Sequence, residues 1–393
     1  MGSGGAGVGG SGGGSGGSAG AAGRAGAGGA GGAPDAGRTT GTGGTADAGR
    51  TTGTGGSAGT GGSPVTIDAG PCSTTPPPPS DLVGWAAVAG NSVNTTTGGG
   101  NAAPITVSTL TDLNNAARGT NAAVIHLMGT VSGTFRVGSN KTLLGLCGAQ
   151  VTGSLDLGRS SNVIVRNLKV VGFNCTDPGA VQAMACSGGD DAISIENNAH
   201  HIWIDHDDIS DGSDGNLDIT QASDFVTVSW TKFHYSTARA DLVGGADATG
   251  ASGHRFSNLI GAADNNPIDV GHLNVTWHHN WWADNVNQRM PRTRYGKIHL
   301  FNNLYTSAGD SYCIALGMAA NIRDESNVFN GVKAPLNLNM SDPTAVITSV
   351  GNLYMNSPGA VNDVGTAFVP TYAYTPDAAS AVEAAVRAGA GPK

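Results

Sequence analysis

Cations are scarce in this chain, yet five of its basic side chains crowd into one short stretch. Val286 to Asn303 reads VNQRMPRTRYGKIHLFNN and holds Arg289, Arg292, Arg294, Lys297 and His299, in a 393-residue protein that is 12% charged with a net charge of −9. A solvated face that balances an acidic surface is one reading. The pattern favours another. Side chains alternate along a strand, so after Pro291 the residues Arg292 and Arg294 are expected on one face and Thr293 and Tyr295 on the other, until Gly296 breaks the run. Two guanidinium groups in a row offer fixed, planar donors that suit a polymer bearing carboxylates at regular intervals.

A second group is acidic. Asp191 lies in GGDDAISI, while Asp214 and Asp218 flank a glycine turn in SDGNLDIT. If successive coils of chain stack, the three carboxylates converge on one hard cation, and calcium accepts such an irregular, all-oxygen shell completed by water and by substrate carboxylates. Aspartate is also common in turns, as Asp156, Asp177 and Asp224 are read here, so spacing alone leaves both readings open.

The cationic stretch resembles the signature of the pectate lyase and pectin lyase family, polysaccharide lyase family one: V-x-x-R-x-P-x-x-R-x-G-x-x-H-x-x-x-N. Val286, Arg289, Pro291, Arg294, Gly296, His299 and Asn303 match every fixed position. The runs LVGWAAVAG, VIHLMGTV, VGSNKTLLGL, NVIVRNLKV, HIWIDHDDIS, DGNLDIT, DFVTVSW and GHLNVTWHHN resemble that family's successive coils in order, so the resemblance covers the chain from Asp81 onward. It implies primary calcium ligands at Asp191, Asp214 and Asp218, with Asp190 as an extra one. It also implies Arg289 as the general base and Arg294 as a binder of substrate carboxylate. The implied reaction is β-elimination on polygalacturonate, giving 4,5-unsaturated oligogalacturonides. A guanidinium is ordinarily protonated, so a base role requires nearby positive charge, from calcium and from neighbouring cations.

One position departs from the family pattern. A substrate-binding lysine usually stands about three residues before a leucine-isoleucine-glycine turn that follows a phenylalanine-histidine pair. The pair here is Phe233-His234, and of the turns Leu242-Val243-Gly244 and Leu259-Ile260-Gly261 the second fits better. No lysine precedes either. Arg255 and Arg239 are the candidate replacements. Two other readings stay open: a pectin lyase acting on methyl-esterified chains, whose relatives lack the calcium carboxylates, and a non-catalytic β-helix that binds acidic polysaccharide. A hydrolase would need a paired acid and base flanking the bond, and no such pair accompanies the cationic strand.

The elements that position these residues show in an internal period. Asn followed by an apolar residue recurs at Asn258, Asn280, Asn303, Asn327 and Asn352, at intervals of 22, 23, 24 and 25 residues. One coil cannot bury its own apolar face, but stacked coils share a continuous core, and stacked Asn amides can hydrogen-bond along the axis. The predicted fold is all-β: a single right-handed parallel β-helix over residues 81–393. The competing antiparallel sandwich would show turns every 8 to 12 residues without a shared Asn. Helices are expected only at Thr111 to Arg118, capped by Asp112 or Thr111, and at Thr375 to Arg387, with Pro376 in its first turn. His278 and His279 read as packing and turn residues, Trp203 as core, and Trp281 and Trp282 as one outward and one inward.

Residues 1–80 are almost wholly Gly, Ala, Ser, Thr and Pro, with the repeat DAGRTTGTGG from Asp35 and again from Asp47. Such a stretch buries too little to offset its ordering entropy and reads as a disordered linker, stiffened near Pro76 to Pro79. An acidic protein is a poor partner for nucleic acid or anionic membrane. No stretch has the apolar length to span a bilayer, and no basic-then-apolar leader precedes the linker. A linker of this kind before a folded domain suits a secreted or surface-tethered enzyme, acting as a monomer on pectic polysaccharide. Of the five cysteines, Cys175 and Cys186 could close a loop, Cys147 and Cys313 read as buried thiols, and Cys72 has no assigned role.

Overall fold

The computed structural model describes residue 75 and residues 80–172, 191–237, 255–338 and 342–393, all within the compact unit Asp68–Lys393. The linker over residues 1–80 lies almost wholly outside the described residues, and so do Cys72, the Cys175–Cys186 loop, Asp190 and Arg239.

Short strands rich in Val, Ile and Leu stack coil upon coil, and every described strand pairing is parallel. This excludes the antiparallel sandwich. Three rows of strands run along the axis. One passes from Pro104–Val107 to Val346–Val350 and is fused, through the long strands Ala123–Ser132 and Lys141–Thr152, to a second that ends at Leu353–Met355. The third has eight short strands, from Phe135–Arg136 to Leu336–Asn337. Inward side chains of all three rows make one apolar core, because residues two apart on a strand share a face. Inside it Phe233, Trp282, Tyr305, Phe329 and Tyr354 form a stack with ring centroids 5.6, 4.7, 4.4 and 5.0 Å apart, spacings at which aromatic pairs add to the effect of burial.

The corner between the first and second rows explains the Asn repeat. Asn167, His206, Trp230, His279, Asn302, Ser326 and Gly351 all have φ between 49° and 67° there, the left-handed geometry that bends the chain sharply. The next residue is Asn in the last four coils. The backbone N–H of Asn280, Asn303 and Asn327 each donates to the side-chain oxygen of the Asn one coil on, at 2.9, 2.6 and 2.8 Å. Asn280 and Asn303 also donate their side-chain amides up the ladder. Earlier coils fill this position with Thr231, whose N–H donates to Asn280, and with Asp207, which accepts from Leu168 N–H. Asn258 does not belong to this column. It precedes a strand of the third row, and its amide accepts from Trp282 Nε1 and donates to the Leu217 carbonyl. Its spacing of 22 from Asn280 is therefore a coincidence of coil length.

His279 stacks on Trp230 at 4.2 Å and His278 on Phe301 at 4.9 Å, so both pack and turn. Trp282 is inward and Trp281 lies half-buried outside, between Lys232 and Arg387. Trp203 is buried but on the outer face, between the core residues Ile202 and Ile204, where its Nε1 donates to Ser229. Helix α1 spans Leu110–Ala117 and is capped by Thr109, whose hydroxyl accepts from Asp112 N–H. Helix α2 spans Ala379–Gly389, starting after Pro376 rather than around it. Cys313 is a buried thiol, whereas Cys147 is disulfide-bonded and not the free thiol expected.

Candidate active site

The acidic and cationic groups share the third row of strands. Asp218 sits in the middle of Leu217–Ile219, paired on one side with Ile193–Ile195, which Asp191 precedes by two residues. On the other side comes Leu259–Ile260, and beyond it Arg292–Thr293. Coils repeat at about 4.8 Å, so the carboxylates and the arginines stand roughly 10 Å apart along the axis with one coil between them.

Gly215 lets the carboxylates approach. A Cβ at this position would meet Asp191 Oδ1 at 2.8 Å and Asp218 Oδ1 at 3.1 Å, so both oxygens face the same bare backbone. Asp218 Oδ1 also accepts from Leu259 N–H at 2.9 Å. Burial pushes the Asp218 carboxyl up to about 7; Arg289 and Arg294 oppose the rise and Asp214 adds to it. Asp214 is therefore within electrostatic reach. Even so, among the described residues no three carboxylate, imidazole or thiol groups form a ready-made metal cage.

The three arginines come together, while Lys297 and His299 do not join them. Lys297 is exposed on the first row, and His299 is buried on the same strand, bonded to Glu325 and Tyr372. Arg289 has φ 64°, and its backbone is clamped between coils: its carbonyl accepts from Asn258 N–H at 2.7 Å, and Met290 N–H donates to the Cys313 carbonyl at 2.7 Å. Burial pushes the Arg292 guanidinium below its ordinary value; Arg294 and Arg289 act in the same direction, and Tyr312 and Asp264 against it. The expected alternation holds, with Thr293 and Tyr295 buried on the other side. Arg294 is held by the loop that follows Leu259–Ile260. Its Nε donates to Asp264 Oδ1 and its Nη1 to the Gly261 carbonyl at 2.8 Å. Gly261 has φ 80°, and a Cβ there would stand 2.8 Å from that of Arg294, so this embrace requires glycine.

The turn at Leu259-Ile260-Gly261 is built into the site, and Leu242-Val243-Gly244 lies outside the described residues. Three residues before Leu259 stands Phe256, 9% exposed, with the Arg289 guanidinium 4.3 Å from its ring centroid. Arg255 is half-buried beside Tyr235, and Arg239 is outside the described residues. Reading for cations misses Phe256, Asp264 and the buried Tyr312, although counting back from the turn singles out Phe256. Tyr312 lies among the three arginines: burial raises its phenol, and Arg289, Arg292 and Arg294 oppose that.

Comparison with known proteins bears on the family and the fold. The family model described as pectate lyase matches residues 72–392. Pectate lyase B of Colletotrichum gloeosporioides is 35% identical over 292 residues, 70% of this chain and 77% of that protein. Probable pectate lyase B of Aspergillus terreus is 36% identical over 221 residues, 53% of this chain and 58% of that protein, so the match spans less than two thirds of it. A Bacillus sp. N165 pectate lyase, solved in complex with trigalacturonate, shares the fold with a TM-score of 0.62 and 22% identity, covering 79% of this chain and 99% of that one. The chain belongs to the pectate lyase family.

Proposed function

We propose that this protein is a calcium-dependent pectate lyase that cleaves polygalacturonate by β-elimination. The observation that carries the reading is the column of the third row: Asp218, Leu259 and Arg292 stand in register on successive coils, with Arg289 and Arg294 flanking the last of them. A chain of galacturonate laid along this row meets carboxylates that suit a cation, and then cations that suit its own carboxylates.

The donor set fits a hard cation. Two carboxylate oxygens face one glycine, and a buried carboxyl raised to about 7 is one that lacks a positive neighbour of sufficient strength. Asp191, Asp214 and Asp218 would hold calcium, with substrate, water and Asp190 available to complete the shell. When bound, calcium withdraws charge from the substrate carboxylate and so acidifies the adjacent C5 proton. Arg294 and Arg292 hold substrate carboxylates in place, and the fixed guanidinium donors stabilise the charge that develops as the proton leaves. Arg289, in the neutral form that nearby positive charge favours, takes the C5 proton and afterwards returns it to solvent. The electron pair forms the C4–C5 double bond, the C4–O bond breaks, and the departing oxygen is protonated by solvent, so no water is consumed.

The carboxylates favour the pectate reading over a pectin lyase acting on methyl-esterified chains. The linker over residues 1–80 fits a secreted or tethered enzyme working as a monomer on pectic polysaccharide; no described helix is long and apolar enough to cross a membrane. Mass spectrometry of the products tests the chemistry. Oligogalacturonides with an unsaturated non-reducing end are expected, and saturated ends would establish hydrolysis instead.

A further inference from the structure

We infer that Phe256 is the positioning residue for Arg289, an aromatic platform where related enzymes carry a substrate-binding lysine. This rests on the lyase reading above and adds to it a division of labour within the site.

Phe256 is locked in place before it meets Arg289. Its carbonyl accepts from the Tyr235 hydroxyl at 2.7 Å, it bridges to Gln288 in parallel register, and Ser257 N–H donates to the Gln288 carbonyl at 3.0 Å. The same coil therefore grips Arg289 twice. Asn258 N–H holds its backbone carbonyl, and the Phe256 ring lies 4.3 Å under its guanidinium carbon. The Tyr312 hydroxyl also lies against the Arg289 side chain, but Arg289 Nε finds no hydrogen-bond acceptor among the described residues, and the ring face supplies a grip there that a hydroxyl does not. An acidic partner would fix the group equally well but would hold it protonated, the wrong state for a base. A ring face fixes a guanidinium and leaves its N–H edge open. A lysine at this position would bind substrate directly; the ring instead gives up that contact and fixes the base.

Phe256→Leu, Phe256→Tyr, Phe256→Trp and Phe256→Lys, made in the full chain, test this. With polygalacturonate and calcium, Phe256→Leu is expected to lower kcat about ten- to a hundredfold with KM within about threefold, because the base is misplaced while the binding cations remain. Tyr and Trp should restore kcat to within about threefold, since each supplies a ring face. An unchanged kcat in Phe256→Leu, or Tyr and Leu variants that fall equally, overturns the proposal. So does Phe256→Lys with a lowered KM and undiminished kcat, because that marks the position as a binding subsite. One readout does not depend on turnover: the Arg289 Nε–H proton resonance should move on losing the Phe256 ring current. A shift in Phe256→Leu supports the contact even if the wild type proves not to be a lyase, and the absence of a shift counts against it.

Discussion

The Asn corner and the third row of strands are built from the same coils, yet they treat polar groups in opposite ways. In the Asn coils of the corner, donors meet acceptors: Asn303 accepts from Asn280, donates to Asn327 and to the Trp277 carbonyl, and is fully buried. In the third row, Arg289, Arg292 and Arg294 crowd together, and among the described residues Nε of Arg289 and of Arg292 lacks an acceptor. Satisfied polar groups specify a fold. Groups left short of partners are those that a substrate and a cation can complete. One region thus accounts for how coils register, and the other for what the stacked coils can do.

The contrast can be broken most sharply at Arg289. Arg289→Ala should reduce turnover of polygalacturonate by about a thousandfold or more, on the scale of losing a group that acts in the transition state, with thermal unfolding nearly unchanged. Near-normal activity would remove it as the base.

The corner should answer in stability instead. Asp324 is fully buried there, accepting from Asn327, Ser349 and Asn352, and burial pushes its carboxyl up to about 7 against those hydrogen bonds. A raised folded pKa means the folded state keeps a proton that the unfolded state has released. This group's contribution to stability is therefore full below about pH 4 and is lost as pH rises to about 7. Glu325, lowered to about 2 by hydrogen bonds from His299 and Tyr374 and by Arg323 despite its burial, has the opposite sign, and its contribution is lost as pH falls from about 4.5 to 2. Asp324→Asn should remove the first effect. Denaturant titrations of the two proteins should show the difference moving in the variant's favour by up to about 4 kcal/mol between pH 4 and pH 8. Parallel pH profiles would show that Asp324 does not titrate in this window.

Asn303→Ala should cost about 3 kcal/mol in the same titrations by leaving buried ladder partners unsatisfied, with kcat little changed. A loss below about 1 kcal/mol would mean that the stack of rings, not the amides, sets the register. The smallest effect is expected at Asp218. Asp218→Asn should shift the calcium dependence of activity by about tenfold, since one ligand of several is weakened. An unchanged calcium titration would contradict the metal assignment.

Much of the fold was legible because its period is written in the chain, but a period does not say which corner it marks. Asn258 shows this: it matches by spacing and sits in another row. Arg289 and Arg294 were readable from a signature with fixed spacings, whereas Asp264, which holds Arg294, is in sequence only another loop aspartate. Phe256 escaped for a chemical reason, since a search for a replacement cation passes over a ring. Pro376 was placed inside a helix because proline suits a first turn, but the chain stays extended until Ala378, the N-cap of Ala379–Gly389.

The most direct measurement is ultraviolet absorbance of the conjugated product during incubation of the full chain with polygalacturonate, with added calcium and, in parallel, with a chelator. A rise with calcium that the chelator abolishes is expected. No rise in either condition, with polysaccharide binding retained, would contradict the lyase reading and identify the protein as a non-catalytic β-helix.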